Sequence, residues 1–289
     1  MKTTANDRTK SIIFLVITAT MWSLGGLLIK SVDTNPLAIA GVRSGISAVI
    51  ILAATGKPKL NWSLAQIGAA LSYTGLVMLF VAATKNTTAA NAILIQYTAP
   101  VYVALLSAWI LKEKVKLLDW LTIAVVMGGM ILFFMDGLSL EGVLGNVFAA
   151  ASGICFAFFA VFMRMQKEGS PIESVLLGNI FTAVIGMPFI FSDMPSTSGW
   201  LYLVVLGVVQ LGIPYVLYSK AIKYVTALEA SLIPVIEPML NPVWVFLFIG
   251  EVPGLWSLVG GVIVITAVTI RCVIPLRDKN VVIKSSIDA

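Results

Sequence analysis

The chain has 289 residues, of which 59% are hydrophobic and only 11% charged, with a formal net charge of +5 and no histidine. Soluble domains carry about 25% charged residues, so this composition excludes a water-soluble globule and points to a polytopic membrane protein. The missing histidine excludes His-based metal sites and Ser/His or Cys/His catalysis, and from Cys155 and Cys272, far apart in sequence, no disulfide framework or thiol–metal cluster follows.

Ten apolar stretches reach the roughly 17–25 residues that a helix needs to cross a bilayer. In chain order they are 11–29, 34–55, 63–83, 88–111, 117–135, 141–164, 171–193, 199–219, 226–249 and 254–274. Short connectors hold the turn residues, as in Asp33-Thr34-Asn35-Pro36 and Gly169-Ser170-Pro171. The first ten residues are polar and basic and lead into about 19 apolar ones, a longer core than a signal peptide has and without its small-residue cleavage site. The first span is therefore expected to be an uncleaved helix.

Basic residues orient the spans. With the N-terminus inside, Lys2, Arg8, Lys10, Lys57, Lys59, Lys112, Lys114, Lys116, Arg164, Lys167, Lys220, Lys223, Arg271, Arg277, Lys279 and Lys284 fall on the inner side. Only Lys30 and Lys85 fall outside, and Arg43 lies within a span. Both termini are thus predicted to be cytoplasmic, in a multi-pass protein of the cell membrane. A basic chain raises the question of nucleic acid, but these cations lie between apolar runs and no nucleic-acid partner is expected; the partner is the lipid bilayer. Trp62, Trp109, Trp120, Trp200 and Trp256 lie near span ends, where amphipathic rings prefer the interface. Trp22 lies eleven or so residues into its span, about 16 Å deep at 1.5 Å per residue.

Adding 138 to the residue number aligns the two halves without gaps. Lys85/Lys223, Thr88/Thr226, Pro100/Pro238 and Glu113/Glu251 match alongside several Leu, Ile and Ala pairs. The repeat unit is five spans, an odd number, so the halves insert with opposite orientation. Charge supports this: Lys112-Glu113-Lys114-Val115-Lys116 after span four becomes Gly250-Glu251-Val252-Pro253-Gly254 after span nine, keeping the glutamate and losing every lysine. The predicted fold is all-α, ten transmembrane helices as two inverted five-helix repeats. Residues 1–136 form the first repeat, 137–275 the second, and 276–289 a polar cytoplasmic tail. Inverted repeats are the architecture of alternating-access transporters, with the substrate site near the midplane between halves.

Ten spans in a 5+5 inverted repeat, a proline in spans four and nine, and Leu111-Lys112-Glu113 echoed by Ile249-Gly250-Glu251 resemble the drug/metabolite transporter superfamily, EamA-type. Trp22 followed by small residues, Arg43 in span two and Glu237-Pro238 in span nine are similar to common positions of that family. The resemblance covers nearly the whole chain. It implies a secondary transporter of small metabolites and leaves the substrate unnamed.

A charge inside a span costs about 2.5–3.5 kcal/mol on insertion scales. Arg43 lies in Gly41-Val42-Arg43-Ser44-Gly45, a small-residue pattern that lets a neighbouring helix approach. It is either a bidentate clamp for a substrate carboxylate or phosphate or a structural group in an ion pair or helix-end carbonyl contact. Glu237, near mid-depth, is the proton-coupling candidate, because burial disfavours the charged form of a carboxylate. It is alternatively a partner for a cationic substrate group or for Arg43. Glu229 begins span nine and has Asn91 as its repeat mate; it is a specificity candidate or a helix-start carboxylate favoured by the dipole. Gln96, Tyr97, Asn179, Gln210 and Tyr215 complete, with Trp22, the predicted substrate-binding set. Pro234, Pro238 and Pro242 free the carbonyls of Ala230, Pro234 and Pro238, tolerated only against protein or a wet cavity. With Pro100 and Pro214 they are the hinge candidates.

No nucleotide-binding Gly-x-x-x-x-Gly-Lys-[Ser/Thr] loop exists, so proton coupling and facilitated exchange are the options for driving transport. Efflux of a small metabolite, an amino acid or similar zwitterion, suits Arg43 and Glu237 facing one cavity. An organic-cation or drug exporter is the alternative, and a non-transporting scaffold or sensor a distant one. No enzyme activity, cofactor or metal is expected, and the chain is expected to act as a monomer or homodimer.

Overall fold

The computed structural model describes residues 5–138, 141–249 and 254–287, with the side chains of 5, 136, 241–242, 245–250 and 274–287 left aside. All regular structure among the described residues is helical. The helices are α1 (Asn6–Ser31), α2 (Pro36–Thr55), α3 (Leu64–Asn86), α4 (Ala89–Leu111), α5 (Leu117–Phe134), α6 (Val143–Met165), α7 (Pro171–Ser192), α8 (Thr197–Ala221), α9 (227–249) and α10 (Leu255–Ile287). Nine of these intervals are long and apolar enough to span a membrane, α10 through Leu255–Val273. The remaining interval, α9, is assembled from Ala227–Leu232, a tight turn at Ile233–Val235, and Ile236–Ile249. The ten-helix membrane fold expected from the sequence is therefore the fold observed.

Local chemistry starts the helices where the connectors predict. Asn35 Oδ1 accepts from the Leu37 amide (2.9 Å) ahead of Pro36, which needs no amide partner at a first turn. Ser63 and Ser196 cap α3 and α8 in the same way. Five spans are not continuous α-helix, among them α7, which ends in a 3₁₀ stretch over Met187–Ser192 that begins with Met187-Pro188. α1 breaks after Trp22 and resumes at Gly25, and α4 breaks between Gln96 and Ala99, one residue before Pro100. α8 widens into a π-turn over Leu206–Gly212 immediately before Pro214. Pro234 occupies the 3₁₀ turn of α9. Proline removes an amide donor and crowds the preceding turn, so each proline-associated break has a local cause.

The packing maps onto itself when the halves are exchanged. α3 packs most extensively on α6, and α8, the repeat mate of α3, packs on α1, the mate of α6. α2 packs on its own mate α7, and α5 on its mate α10. Side-chain detail repeats too: Lys85 Nζ donates to the Val32 carbonyl and Lys223 Nζ to the Gly169 carbonyl, each at 2.6 Å. Thr88 Oγ1 accepts from the Asn91 amide and Thr226 Oγ1 from the Glu229 amide, each at 3.1 Å. One corner of the fold thus occurs once at each membrane face. The Glu251 corner lies outside the described residues, as does the side chain of Pro242.

The α2–α7 crossing is built on glycine against glycine. A Cβ on Gly41 would strike the backbone of Gly186 and Met187, and one on Gly186 the backbone of Leu37 and Gly41. Gly128 on α5 is exposed, with nothing near a Cβ. Gly41→Ala and Gly186→Ala are therefore expected to destabilise the protein by about 1–3 kcal/mol, the usual cost of overpacking. Gly128→Ala should be neutral or slightly stabilising, and thermal unfolding in detergent measures all three.

Candidate functional site

A cavity of about 450 Å³, counting its open mouth, lies between the two halves. Seven of the predicted residues line it: Trp22, Arg43, Gln96, Tyr97, Gln210, Tyr215 and Glu237. Leu76, Val77, Phe80, Phe156 and Leu211 complete the wall. They escape sequence reading because an apolar residue in a membrane helix carries no mark of whether it faces lipid or a pocket.

Arg43 is seven residues into α2, about 10 Å below its outer end at 1.5 Å per residue. It is 1% exposed, and its Nη1 donates to Gln210 Oε1 at 3.0 Å. Its Nε has no hydrogen-bond partner. Among the described residues no carboxylate pairs with it; the ion pairs there join Arg8, Arg164 and Arg271 to Glu113, Asp119 and Glu229. The alternative of a fixed Arg43–Glu237 pair is thus not what the structure contains, because Glu237 is turned to another partner. The Tyr97 hydroxyl lies 2.5 Å from Glu237 Oε2 and 2.9 Å from the Pro234 carbonyl. That carbonyl is the one Pro238 leaves without its helical amide. A phenol has one proton to donate, so both contacts are satisfied together only when Glu237 donates a proton of its own to the Tyr97 oxygen.

Trp22 sets one wall. It is 6% exposed, whereas the five interfacial tryptophans are 37–78% exposed. Its ring packs on Tyr215 (centroids 5.1 Å apart) and Tyr218 (5.8 Å), and its buried Nε1 lacks a partner. Toward the cytoplasm, Tyr73, Phe159 and Tyr218 fill the space, with Tyr73–Phe159 at 5.6 Å and Phe159–Tyr218 at 5.7 Å. Gln96 Nε2 is anchored on Ser152 Oγ at 2.8 Å.

Three predicted residues are placed elsewhere. Asn179 accepts from the Tyr73 hydroxyl at 3.1 Å and donates to the Val175 carbonyl, which joins α7 to α3. Asn91 donates to Asn146 Oδ1 (3.2 Å) and Thr87 Oγ1 at the outer end of α4. Glu229 closes a capping box with Thr226 and pairs with Arg8 (2.6 Å) and Arg271 (3.4 Å) at the cytoplasmic end. Each is engaged by protein groups away from the cavity, so none is in position to touch a solute there. Sequence reading missed the rest of that inner cluster. Arg271 also pairs with Asp119 at 2.5 Å, and Arg8 donates to the Cys272 carbonyl. Nearby, Glu113 pairs with Arg164 at 2.9 Å and accepts from the Ala227 amide at the start of α9. The 138-residue offset applied to Arg8 and Arg271 was the available signal.

The profile of the EamA-like transporter family matches the chain twice, over residues 9–135 and 143–271. An uncharacterized transporter of Archaeoglobus fulgidus is 28% identical over 261 residues, covering 89% of this chain and 94% of the relative. The pseudopaline exporter CntI of Pseudomonas aeruginosa is 26% identical over 300 residues, covering 95% and 99%. A solved structure superposes with a TM-score of 0.79 at 18% identity, over 93% of this chain and 98% of that one, which establishes likeness of fold.

The two kinds of buried charge predict opposite responses to mutation. Removing one member of a buried pair strands its partner and costs about 3–5 kcal/mol. Glu229→Ala should therefore lower stability by about that much, since it strands Arg8 and leaves Arg271 with Asp119 alone. Arg43→Met strands no carboxylate and should leave the unfolding temperature unchanged or raised. Unfolding in detergent without added solute measures both.

Proposed function

This chain belongs to the EamA-like transporter family, and on that premise we propose that it exports a small zwitterionic metabolite, amino-acid-like in its charges, by alternating access coupled to protons. That the protein is a membrane transporter, and not an enzyme, follows from the family.

One observation carries it: a guanidinium lining the cavity, buried, with a free Nε and, among the described residues, no carboxylate paired with it. Keeping an unpaired charge out of water is unfavourable, and a substrate carboxylate would supply the missing partner through two charge-assisted hydrogen bonds. Glu237 in the same cavity supplies the complementary negative group for an ammonium. Trp22, Phe80, Phe156 and Tyr215 give the solute's apolar part an aromatic wall. A zwitterion is favoured over a simple organic cation because Arg43 would repel a cation, and because the second acidic candidate, Glu229, is taken up by Arg8 and Arg271. The export direction leans on the relative that exports pseudopaline.

The Tyr97 contacts support Glu237 as the proton carrier. With Glu237 protonated, the chain Glu237–Tyr97–Pro234 carbonyl has a donor for each acceptor. Loss of the proton makes Tyr97 turn its hydrogen to the carboxylate and leaves the Pro234 carbonyl with the Ile236 amide alone, at the 3₁₀ turn that divides α9. Protonation is thereby coupled to the backbone of a helix that lines the cavity. Pro100, Pro214, Pro234, Pro238 and Pro242 are the associated hinge set, and the repeats 1–136 and 137–275 the two bodies that rock.

Purified protein in liposomes tests both parts. Arg43→Lys should weaken competition by carboxylate-bearing solutes about 10–100-fold, the loss of one charged hydrogen bond worth about 1.5–3 kcal/mol, while competitors lacking a carboxylate are unaffected. Glu237→Gln should abolish accumulation driven by a pH gradient and spare solute exchange. Unchanged pH dependence in that variant removes Glu237 from the proton path, and no flux across a broad panel of amino acids and other zwitterions removes the substrate class.

A further inference from the structure

We infer that the cytoplasmic seam between the halves is a charge-clamped gate and the outer seam its neutral counterpart. The cytoplasmic seam is then the one that stays shut at rest, and the outer seam, joined by neutral hydrogen bonds alone, is the one that parts to admit solute to the cavity. The inference draws on the alternating access of the inverted fold and is independent of which solute is carried.

The observation is a pair of contacts that occur twice, at positions 138 residues apart. On the cytoplasmic side Arg8 of α1 pairs with Glu229 of α9 at 2.6 Å. Their repeat mates are Asn146 of α6 and Asn91 of α4, which meet on the outer side through Asn91 Nδ2 donating to Asn146 Oδ1 at 3.2 Å. On the cytoplasmic side Asp119 of α5 pairs with Arg271 of α10 at 2.5 Å. Their mates are Ser257 and Phe133, which meet on the outer side through Ser257 Oγ donating to the Phe133 carbonyl at 2.9 Å. In both cases the same junction between halves is an ion pair inside and a neutral hydrogen bond outside. A third inner pair, Glu113 with Arg164, also crosses between halves.

In an inverted-repeat transporter the two access states exchange the roles of the halves. Opening inward would part the inner junctions as opening outward parts the outer ones. Hydrogen bonds between charged groups are roughly twice as strong as neutral ones, and the inner pairs are largely buried, with side chains 4–13% exposed in the Arg8–Glu229 and Asp119–Arg271 pairs. Inward opening is therefore the harder of the two. The cavity's position agrees. Tyr73 and Tyr218, which are fully buried in the plug below the cavity, have Leu211 and Phe80 as repeat mates, and both of these line the cavity. The void thus occupies, on the outer side, the place that rings fill on the inner side.

Cysteine accessibility tests this without any solute. The full chain carries Cys155→Ala, Cys272→Ala and a reporter, Val77→Cys, in right-side-out and inside-out membrane vesicles treated with a membrane-impermeant maleimide. Labelling from outside should be at least about tenfold faster than from inside. Arg8→Asn with Glu229→Asn gives the inner seam the outer pair and should bring that ratio toward one. Asn91→Glu with Asn146→Arg gives the outer seam the inner pair and should slow labelling from outside severalfold. A ratio near one before any gate substitution overturns the inference, as does a ratio that the outer exchange leaves unmoved. The outer exchange and the starting ratio decide the matter even if the inner double variant does not reach the membrane. Failure of the zwitterion reading would show in flux and leave these labelling rates intact.

Discussion

A buried cation with no carboxylate paired to it among the described residues is the constraint around which this fold is arranged. An unpaired guanidinium at that depth has to be kept from lipid on every side, and the helices around Arg43 do so by approaching closely. α2 crosses α7 through Gly41 and Gly186, with no side chain between the backbones. α8 comes against α2 at Gly207, where a Cβ would meet Ile46 and the Arg43 carbonyl. That approach, made within the π-turn of α8, carries Gln210 to hydrogen-bonding distance of the guanidinium. The cavity forms where this wall faces α3, α4, α6 and α9, and the charge at its edge determines what the space can hold.

The second determinant is that every junction is drawn twice, and function resides where the two drawings differ. Lysine to carbonyl and threonine cap to amide are the same at both faces, so they belong to the scaffold. Arginine–glutamate against asparagine–asparagine, tyrosine against leucine or phenylalanine, and glutamate at 237 against alanine at 99 are unlike. The scaffold supplies two interchangeable shapes, and the unlike pairs give them unequal weight and a chemical preference.

The architecture was largely legible in the sequence because a bilayer imposes rules that leave marks: span length, a cation bias across the membrane, and rings at the interface. Trp22 stood apart from the other tryptophans by depth alone, and it proves to be the buried one. Seven of ten proposed binding residues line one cavity because a polar group placed deep in a span has few places to go. The failures have the same origin. Asn91 and Glu229 lie near span ends, where protein corners absorb polar groups as readily as a cavity does, and Asn179, though deep, is taken up by the Tyr73 hydroxyl of neighbouring α3. Arg8 counted only as a marker of the inner side, since its partner is 221 residues away. Tyr73, Phe159 and Tyr218 were invisible because a helix apolar all around does not reveal which side meets protein. The break of α1 after Trp22 had no proline to announce it.

The glycine crossings have a geometric meaning that their packing role conceals. When the two halves trade conformations, most helix pairs are sent to a different place: α3 on α6 becomes α8 on α1. The crossings of α2 with α7 and of α5 with α10 are sent to themselves. As helix pairs they are the members that the exchange leaves in place. The α5–α10 crossing is as bare as the other, since a Cβ on Gly260 would strike the backbone of Gly129 and Phe133. The glycine contacts within these crossings are nevertheless one-sided: the exchange sends Gly41 and Gly186 to Asn179 and Ala48, and Gly129 and Gly260 to Ala267 and Thr122, so each crossing is bare backbone toward the outer face and carries side chains toward the inner one.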